Sequence, residues 1–389
     1  MSRRGFTLIE ILIALGMLGV VLAAAMAMLV GTNGASERVR RIGDVQEGAR
    51  LGIEELASEL RTAGLGAMNG QIGVCPGSGT RTPRRMPVIY SGPNVTVTEP
   101  GGQTIVTNSI YIVSADPTSM GIGSDSTGTQ GVIVRASSGT SLSLMCSNAS
   151  GVTVDCSAGA NPVLPSSNPP LLIGDFRNAA FLSPTILGSP VGIPPIQSLD
   201  YAEEAGCSIS PDPKAPFGFA PGANVSRARV SHWYMRQTSA GAIPQLVRSH
   251  PTLTGATLSA NCAATDLPFL DETNSSGGVV GTVMTLGAIE SLQFRYVVDP
   301  AGTDDPTQFT VLNSISVCDT ASASSLREVR LQIVSRATSP DRDTNGAALN
   351  NYATPGFEGV SPSSAVQDAY PRRAFVMSVV PRTLQRERL

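Results

Sequence analysis

The chain has 389 residues, with 27 Lys and Arg against 30 Asp and Glu, and a formal net charge of −3. No basic tract is dense enough to indicate nucleic-acid binding. With only two histidines and no G-x-S-x-G, H-E-x-x-H or G-x-x-x-x-G-K-[ST] motif, the sequence predicts neither an enzyme nor a cofactor.

The N-terminus carries the most informative pattern. Arg3 and Arg4 precede an uncharged, mostly apolar run from Ile11 to Val30, which is long enough to cross a bilayer. The two arginines favour a cytoplasmic N-terminus. Three interpretations compete: a plain membrane anchor, a cleaved twin-arginine export signal, and a leader cut on the cytoplasmic side between Gly5 and Phe6.

Glu10 separates these interpretations, because a carboxylate in hydrocarbon is costly and an anchor or export signal gains nothing from one. The stretch Gly5-Phe6-Thr7-Leu8-Ile9-Glu10, followed by the apolar run, closely resembles the type IV prepilin N-terminus. The resemblance implies that a prepilin peptidase removes residues 1–5 and methylates the new amine of Phe6. It also implies that Glu10 neutralises the N-terminus of a neighbouring subunit and sets axial register in a filament.

The helix is predicted to continue beyond the membrane half, residues 6–30, through an amphipathic half, residues 31–64. An apolar stripe recurs there at spacings of three and four residues: Ile42, Val45, Ala49, Ile53, Leu56, Leu60 and Ala63. Gly64 and Gly66 are natural stops. We expect bending or local melting at residues 31–34, which include two glycines.

After the helix, the composition shifts to Gly, Ser, Thr, Pro and Val, and no further long helix is predicted. Strands are predicted at Thr104–Ala115, Gly131–Arg135, Ser141–Met145, Val225–Gln237, Gln245–Arg248, Ala288–Val298, Leu326–Arg336 and Ala374–Val380. Loops are predicted at Gly70–Arg85, Asn161–Pro170, Ser208–Ala223 and Thr338–Ser364. The predicted fold class is α+β, with one long helix packed on an antiparallel β-sheet domain, residues 65–389, that carries long loops.

The resemblance extends past the leader. The helix end, Glu47–Leu51 followed by Glu59–Gly64, is similar to that of PilW-type minor pilins. Later segments of the chain also resemble strands of that family: Ser231–Arg236 with Leu246–Arg248, Glu290–Tyr296 with Asp299, Leu326–Ser335, and Arg373–Arg382. The resemblance implies a pilin-like fold and a minor pilin that helps initiate type IV pilus assembly, in a tip complex with other minor pilins.

Two alternatives stay open: a minor pseudopilin of a type II secretion system and, in a different class, a membrane-anchored periplasmic adhesin or enzyme. The pilin assignment implies several partners: the prepilin peptidase, other minor pilins, the major pilin, the inner membrane and a tip adhesin. It further implies a single-pass inner-membrane protein with a periplasmic domain, which later reaches the cell surface in a pilus that serves twitching motility. No nucleic-acid partner is expected.

Six cysteines follow the apolar run: Cys75, Cys146, Cys156, Cys207, Cys262 and Cys318. None forms a C-x-x-C pair, and an even number in an exported domain favours disulfides over free buried thiols. Cys146 with Cys156 is the favoured pair, because Ser147–Gly151 has turn composition between two short strands. The disulfide of the resembled family is in doubt, since Ala67 and Met68 stand where the family often has a cysteine.

One loop has partial calcium-binding character. Asp341, Asp343 and Asn345 fit the first half of a calcium loop, but Tyr352 stands at the twelfth position, where the motif has Glu. Asp and Asn are also common in turns that bind no metal. We therefore assign no metal and keep these three residues as a weak calcium candidate.

Overall fold

The structure is a computed structural model of the chain. It describes residues 7–67, 70–74, 84–98, 104–116, 129–138, 141–148, 153–154, 171–175, 178–182, 184–187, 197–201, 219, 222–239, 242–253, 269–270, 282–283, 288–303, 305–337, 340, 355–357 and 369–381.

The first element is a single helix, α1 (Leu8–Thr62), of 55 residues. It ends where predicted, since Gly64 and Gly66 take positive φ angles of 73° and 87° that suit glycine. Residues 31–34 stay helical, so the expected local melting is wrong. Helix propagation is cooperative, and helical turns on both sides hold the segment. The Thr32 hydroxyl also donates to the Leu29 carbonyl at 3.0 Å.

The strands are β1 (Gln71–Val74), β2 (Arg84–Pro87), β3 (Ile89–Ser91), β4 (Val95–Thr98), β5 (Thr104–Thr107), β6 (Ile110–Ala115), β7 (Thr129–Ser138), β8 (Ser141–Asn148), β9 (Thr153–Val154), β10 (Leu171–Gly174), β11 (Ala179–Leu182), β12 (Pro184–Leu187), β13 (Gln197–Tyr201), β14 (Asn224–Arg236), β15 (Gln245–Ser249), β16 (Thr252–Leu253), β17 (Phe269–Leu270), β18 (Thr282–Val283), β19 (Ala288–Val298), β20 (Thr310–Leu312), β21 (Leu326–Arg336) and β22 (Arg372–Val379). A 3₁₀ helix (Pro306–Gln308) precedes β20, and the short helix α2 (Thr320–Ser324) precedes β21.

The strands form a 14-stranded sheet around β14, a 4-stranded sheet in the order β20-β19-β21-β22, and two 2-stranded sheets, β4-β5 and β16-β17. The described pairs are antiparallel except one. β1 runs parallel to β11, with Gly73 opposite Ala180. The predicted all-antiparallel sheet is therefore wrong at this pair. More than a hundred residues separate the two strands, which gives ample chain for a parallel crossover.

Two boundaries also differ from the sequence prediction. The predicted loop at Gly70–Arg85 contains β1 and the start of β2. The predicted strand Thr104–Ala115 is divided into β5 and β6 at Asn108. This residue turns toward β19: its N–H donates to the Leu292 carbonyl at 2.8 Å, and its Oδ1 accepts from the Phe294 N–H at 3.3 Å.

The second half of α1 packs on the sheets through its apolar stripe. Val45, Ala49, Ile53, Leu56, Leu60 and Ala63 are buried as predicted. The helix lies against β22, β21, β19 and β6. Its end is fixed by close backbone approach, because an added Cβ on Gly174 would collide with the Gly66 carbonyl. The core thus joins the helix to both larger sheets.

Candidate assembly site

The start of α1 is closed by a reciprocal cap. Thr7 is the N-cap residue, and its Oγ1 accepts from the Glu10 N–H at 3.3 Å. The Glu10 carboxylate in turn accepts from the Thr7 N–H at 3.0 Å and from the Thr7 hydroxyl at 3.1 Å. This capping box satisfies backbone donors that have no partner within the helix, and the negative charge suits the helix N-terminus.

The structure therefore places Glu10 in the first turn of an exposed helix. Gly5 and Phe6 lie outside the described residues, so cleavage between them and methylation of Phe6 stay predictions. The proposed pairing of Glu10 with a neighbour's N-terminus also stays a prediction. Its carboxylate is solvent-exposed, and the hydrogen bonds that hold it are to Thr7.

The first half of α1 has no covering inside the chain. Leu8–Glu37 is long and apolar enough to cross a membrane. From Leu8 to Val30, the side chains are exposed on every face of the helix. Such an apolar surface requires either lipid or packed helices around it.

A polar cluster fixes the other end of α1 to the sheet. The Glu59 carboxylate, whose side chain is 12% exposed, accepts from Trp233 Nε1 at 2.6 Å, from Arg229 at 3.0 Å and from Arg248 at 2.9 Å. Arg248 also pairs with Glu55 at 2.8 Å, and its guanidinium lies over the Trp233 ring. Two carboxylates balance two guanidiniums, so the cluster joins α1 to β14 and β15 without net charge.

A second ion pair fixes the last strand. Arg372 on β22 reaches across β21 to Glu290 on β19, with nitrogen–oxygen distances of 2.6 and 2.8 Å. Glu290 is the extra residue of a β-bulge, because Ile289 faces Ser335 and Ser291 faces Val334. Both side chains are buried, and a bidentate pair of this kind is geometrically specific.

One of the chain's two histidines, His232, lies in an aromatic stack. His232 is buried, with its ring 4.0 Å from Tyr111 and 4.6 Å from Tyr234 between ring centroids. Gly92 lies against the stack, since an added Cβ would come within 2.9 Å of the Tyr111 ring. The arrangement supports a packing role for His232.

Only part of the cysteine and calcium predictions falls on described residues. Cys318 is half-buried and disulfide-bonded. Cys146 lies in β8, which pairs antiparallel with β9 through Cys146 and Val154, so two strands lie here as predicted. The predicted turn at Ser147–Gly151 is not confirmed, because β8 continues to Asn148 and residues 149–152 lie outside the described residues. The Cys146 side chain and the other four cysteines lie outside the described residues: Cys75, Cys156, Cys207 and Cys262. The calcium candidates Asp341, Asp343 and Asn345 also lie outside them, so the pairing and the metal stay untested.

The sequence prediction missed the cluster around Glu59 and included Trp233 only within the strand segment Ser231–Arg236. A signal was present. Glu55 and Glu59 are four residues apart on α1, directly beside the stripe residues Leu56 and Leu60. An acid at the border of a buried stripe needs a cationic or N–H partner on the surface that the helix covers.

Comparison with known proteins adds two family matches. The family described as Type IV Pilus-assembly protein W matches residues 232–382, and the prokaryotic N-terminal methylation motif matches residues 1–26. A solved type IV-like pilin from Thermus thermophilus is similar at 12% identity, over 56% of this chain and 84% of that chain. The TM-score of this match is 0.19. No curated protein matches the chain.

Proposed function

We propose that this chain, which its two family matches support as a PilW-like type IV pilin, is a minor pilin that helps initiate pilus assembly. In this proposal it is a structural subunit of the tip complex, together with other minor pilins. Its globular domain is periplasmic before assembly and extracellular afterwards.

One observation carries the proposal: α1 is a single helix with two different surroundings. From Leu8 to Val30 its apolar side chains are exposed, and from Val45 to Ala63 its stripe is buried in the chain's own domain. A subunit built this way exchanges lipid for neighbouring helices without refolding, because the globular part does not use the exposed half. Its domain stays attached to the helix through the Glu59 cluster.

The size of the domain favours the tip over the shaft. About 325 of the 389 residues follow α1, whereas packed helices in a filament core lie only about 10 Å apart. A domain this large is poorly suited to repeat at every subunit along such a core. At the tip no subunit packs above it, so large insertions are tolerated there.

The processing steps are part of the same proposal. A prepilin peptidase cuts between Gly5 and Phe6 and methylates Phe6. During assembly Glu10 leaves its cap on Thr7 and neutralises the new N-terminus of the adjacent subunit. Before assembly, the capping box supplies the Glu10 carboxylate with hydrogen-bond donors from Thr7. In the filament, the N-terminus of the adjacent subunit supplies them instead.

The role is tested by deleting the gene and restoring it at low expression. We expect piliation to fall sharply after deletion while the major subunit remains in the membrane, and to return with a small amount of this chain. Sheared pili should contain far less of this chain than of the major subunit. Equal abundance would contradict the tip role. A secretion defect with normal piliation would instead indicate a pseudopilin.

The processing is tested by mass spectrometry of the N-terminus after membrane extraction. We expect N-methyl-phenylalanine at Phe6, and we expect Gly5→Leu to leave the leader attached, because a bulky side chain would stand at the cut peptide bond. Ser2→Leu is the control. It places the same side chain in the leader but away from the cut peptide bond, so this variant should be processed normally. An N-terminus near Met28 would establish the export-signal interpretation.

A further inference from the structure

The two edges of the four-stranded sheet differ in length and protection. β20 has three residues, begins one residue after a 3₁₀ helix, and is too short to serve as a template. β22 has eight residues without an internal proline, and Pro371 and Pro381 lie just outside its ends. Among the described strands, β22 pairs only with β21. In the part of the chain that the structure describes, the main-chain donors and acceptors at the middle of its other edge, residues 374–378, therefore have no strand partner.

The side chains of β22 leave that edge open. Ala374, Val376 and Ser378 are exposed on one face of the strand, Val376 with 59% of its surface. Phe375 and Met377 point to the other face and are half-buried against the core. The middle of the edge thus carries apolar and small residues, and it lacks the lysines or inward charges that usually block edge pairing.

The strand is also held in a fixed position. Arg372 at its start is bonded to buried Glu290, and residues 372–379 are in continuous register with β21. A rigid edge loses little conformational entropy when another strand is added, which favours binding. Main-chain hydrogen bonds supply affinity in such strand addition, and alternate side chains supply specificity.

We propose that β22 docks an extended strand from another pilin subunit of the same filament, which continues the four-stranded sheet. The inference rests on the proposed function. The occupant is argued from position, because α1 packs directly against β22. Under the proposed function, a subunit whose apolar helix lies on the β22 side of α1 brings its own domain to this edge.

The edge also specifies the chemistry of the added strand. Exposed Val376, with half-buried Phe375 and Met377 around it, requires apolar side chains on the partner. Arg373 is exposed at one end of β22, so a carboxylate at the corresponding end of the partner strand complements it. The partner segment is therefore an apolar strand with an acidic residue at one end.

The test compares the two edges of the same sheet with the same substitution in the full-length chain. Val376→Lys places an ammonium on the proposed docking edge, and Val311→Lys places one on β20, where Val311 is 46% exposed. We expect Val376→Lys to reduce copurification with the other pilins, and piliation, about tenfold or more, because the ammonium would be buried without a partner. Val311→Lys should leave both unchanged. Equal behaviour of the two variants would overturn the proposal.

A second measurement identifies the docked partner and does not require the Val376→Lys variant to fold. A photoreactive amino acid at position 376 should form an adduct with another pilin in assembled filaments, and the same probe at position 311 should not. An adduct with a second copy of this chain, an adduct with an adhesin, or none would overturn the proposal. The proposed function fails on different results: piliation that stays intact after deletion of the gene, or sheared pili that contain as much of this chain as of the major subunit.

Discussion

Replacing Glu59 should show how strongly the end of α1 is held to the sheet. Glu59→Ala removes the acceptor of Trp233 Nε1, which lies at 2.6 Å, and leaves Arg229 and Arg248 without their shared carboxylate. A hydrogen bond to a charged group contributes about 1.5–3 kcal/mol, and each partly exposed ion pair adds about 0–1 kcal/mol. We expect the free energy of unfolding to fall by about 2–4 kcal/mol.

The assay uses the chain's single tryptophan. Trp233 is fully buried beside Glu59, so its fluorescence reports directly on this contact during urea unfolding of the full-length protein in detergent. Glu59→Gln keeps an acceptor for the indole but removes the charge, and it should lose about half as much stability, roughly 1–2 kcal/mol. Glu59→Ala should also shift the emission to longer wavelength if water reaches the indole.

The matched control is Glu54→Ala on the same helix. Among the described residues, Glu54 pairs with Arg50 at 2.7 Å, and the Glu54 and Arg50 side chains are 52% and 75% exposed. Such a pair contributes about 0.3–0.5 kcal/mol, so the control should unfold almost like the unmodified chain. If Glu59→Ala and Glu54→Ala were equally stable, the reasoning that assigns the attachment of α1 to the buried cluster would be refuted.

Four further predictions concern the core, the N-terminus, an acidic turn and the cysteines. The double variant Ile53→Asp, Leu56→Asp should abolish the folded domain, because both side chains are buried in the helix–sheet core and unpaired buried charges are costly. Protease sensitivity measures the loss of the fold. Leu51→Asp, at an exposed site, is the control. Glu10→Ala should leave membrane insertion intact but reduce recovery in sheared filaments, and normal recovery would argue against a role in register. For Asp299, burial opposes ionisation, but hydrogen bonds from Arg327 and from the Thr303 N–H outweigh it and hold the pKa below its usual value. The stabilising effect of Asp299 is therefore complete above the ordinary Asp pKa of about 3.9 and is lost as the pH falls below it. In Asp299→Asn, the urea concentration at the unfolding midpoint should therefore depend less on pH in the acid range. Mass mapping without reduction should find at least two disulfides in exported protein, and six free thiols would contradict this.

The helix and the last strands could be predicted from sequence because each has a strong local signal. The apolar run and the stripe after it fix α1 to within two residues of its ends, and the alternation in Ala288–Val298 and Leu326–Arg336 gives those strands their observed bounds. Residues in such strands face the core and solvent in turn, so their pattern carries the period of the sheet itself.

The strands that the sequence missed lack that signal. β10, Leu171–Gly174, is buried on both faces and has no alternation, and β1 is four residues long with a glycine in it. Their pairing depends on partners far along the chain, which local patterns do not encode. The same holds for the Glu59 cluster and the Glu290–Arg372 pair. In each, the partners are more than 80 residues apart, so only the folded topology brings them together.

The continuity of α1 has a mechanical consequence. A filament under tension pulls each subunit along its helix axis, and in this chain that pull enters the domain through a buried stripe that runs from Val45 to Ala63. Axial sliding would have to shear the whole stripe and break the Glu59 contacts together, so the load is shared in parallel. The chain's last strand lies against the same helix and is clamped by Arg372. Traction is therefore shared between the buried stripe of α1 and the clamped strand β22.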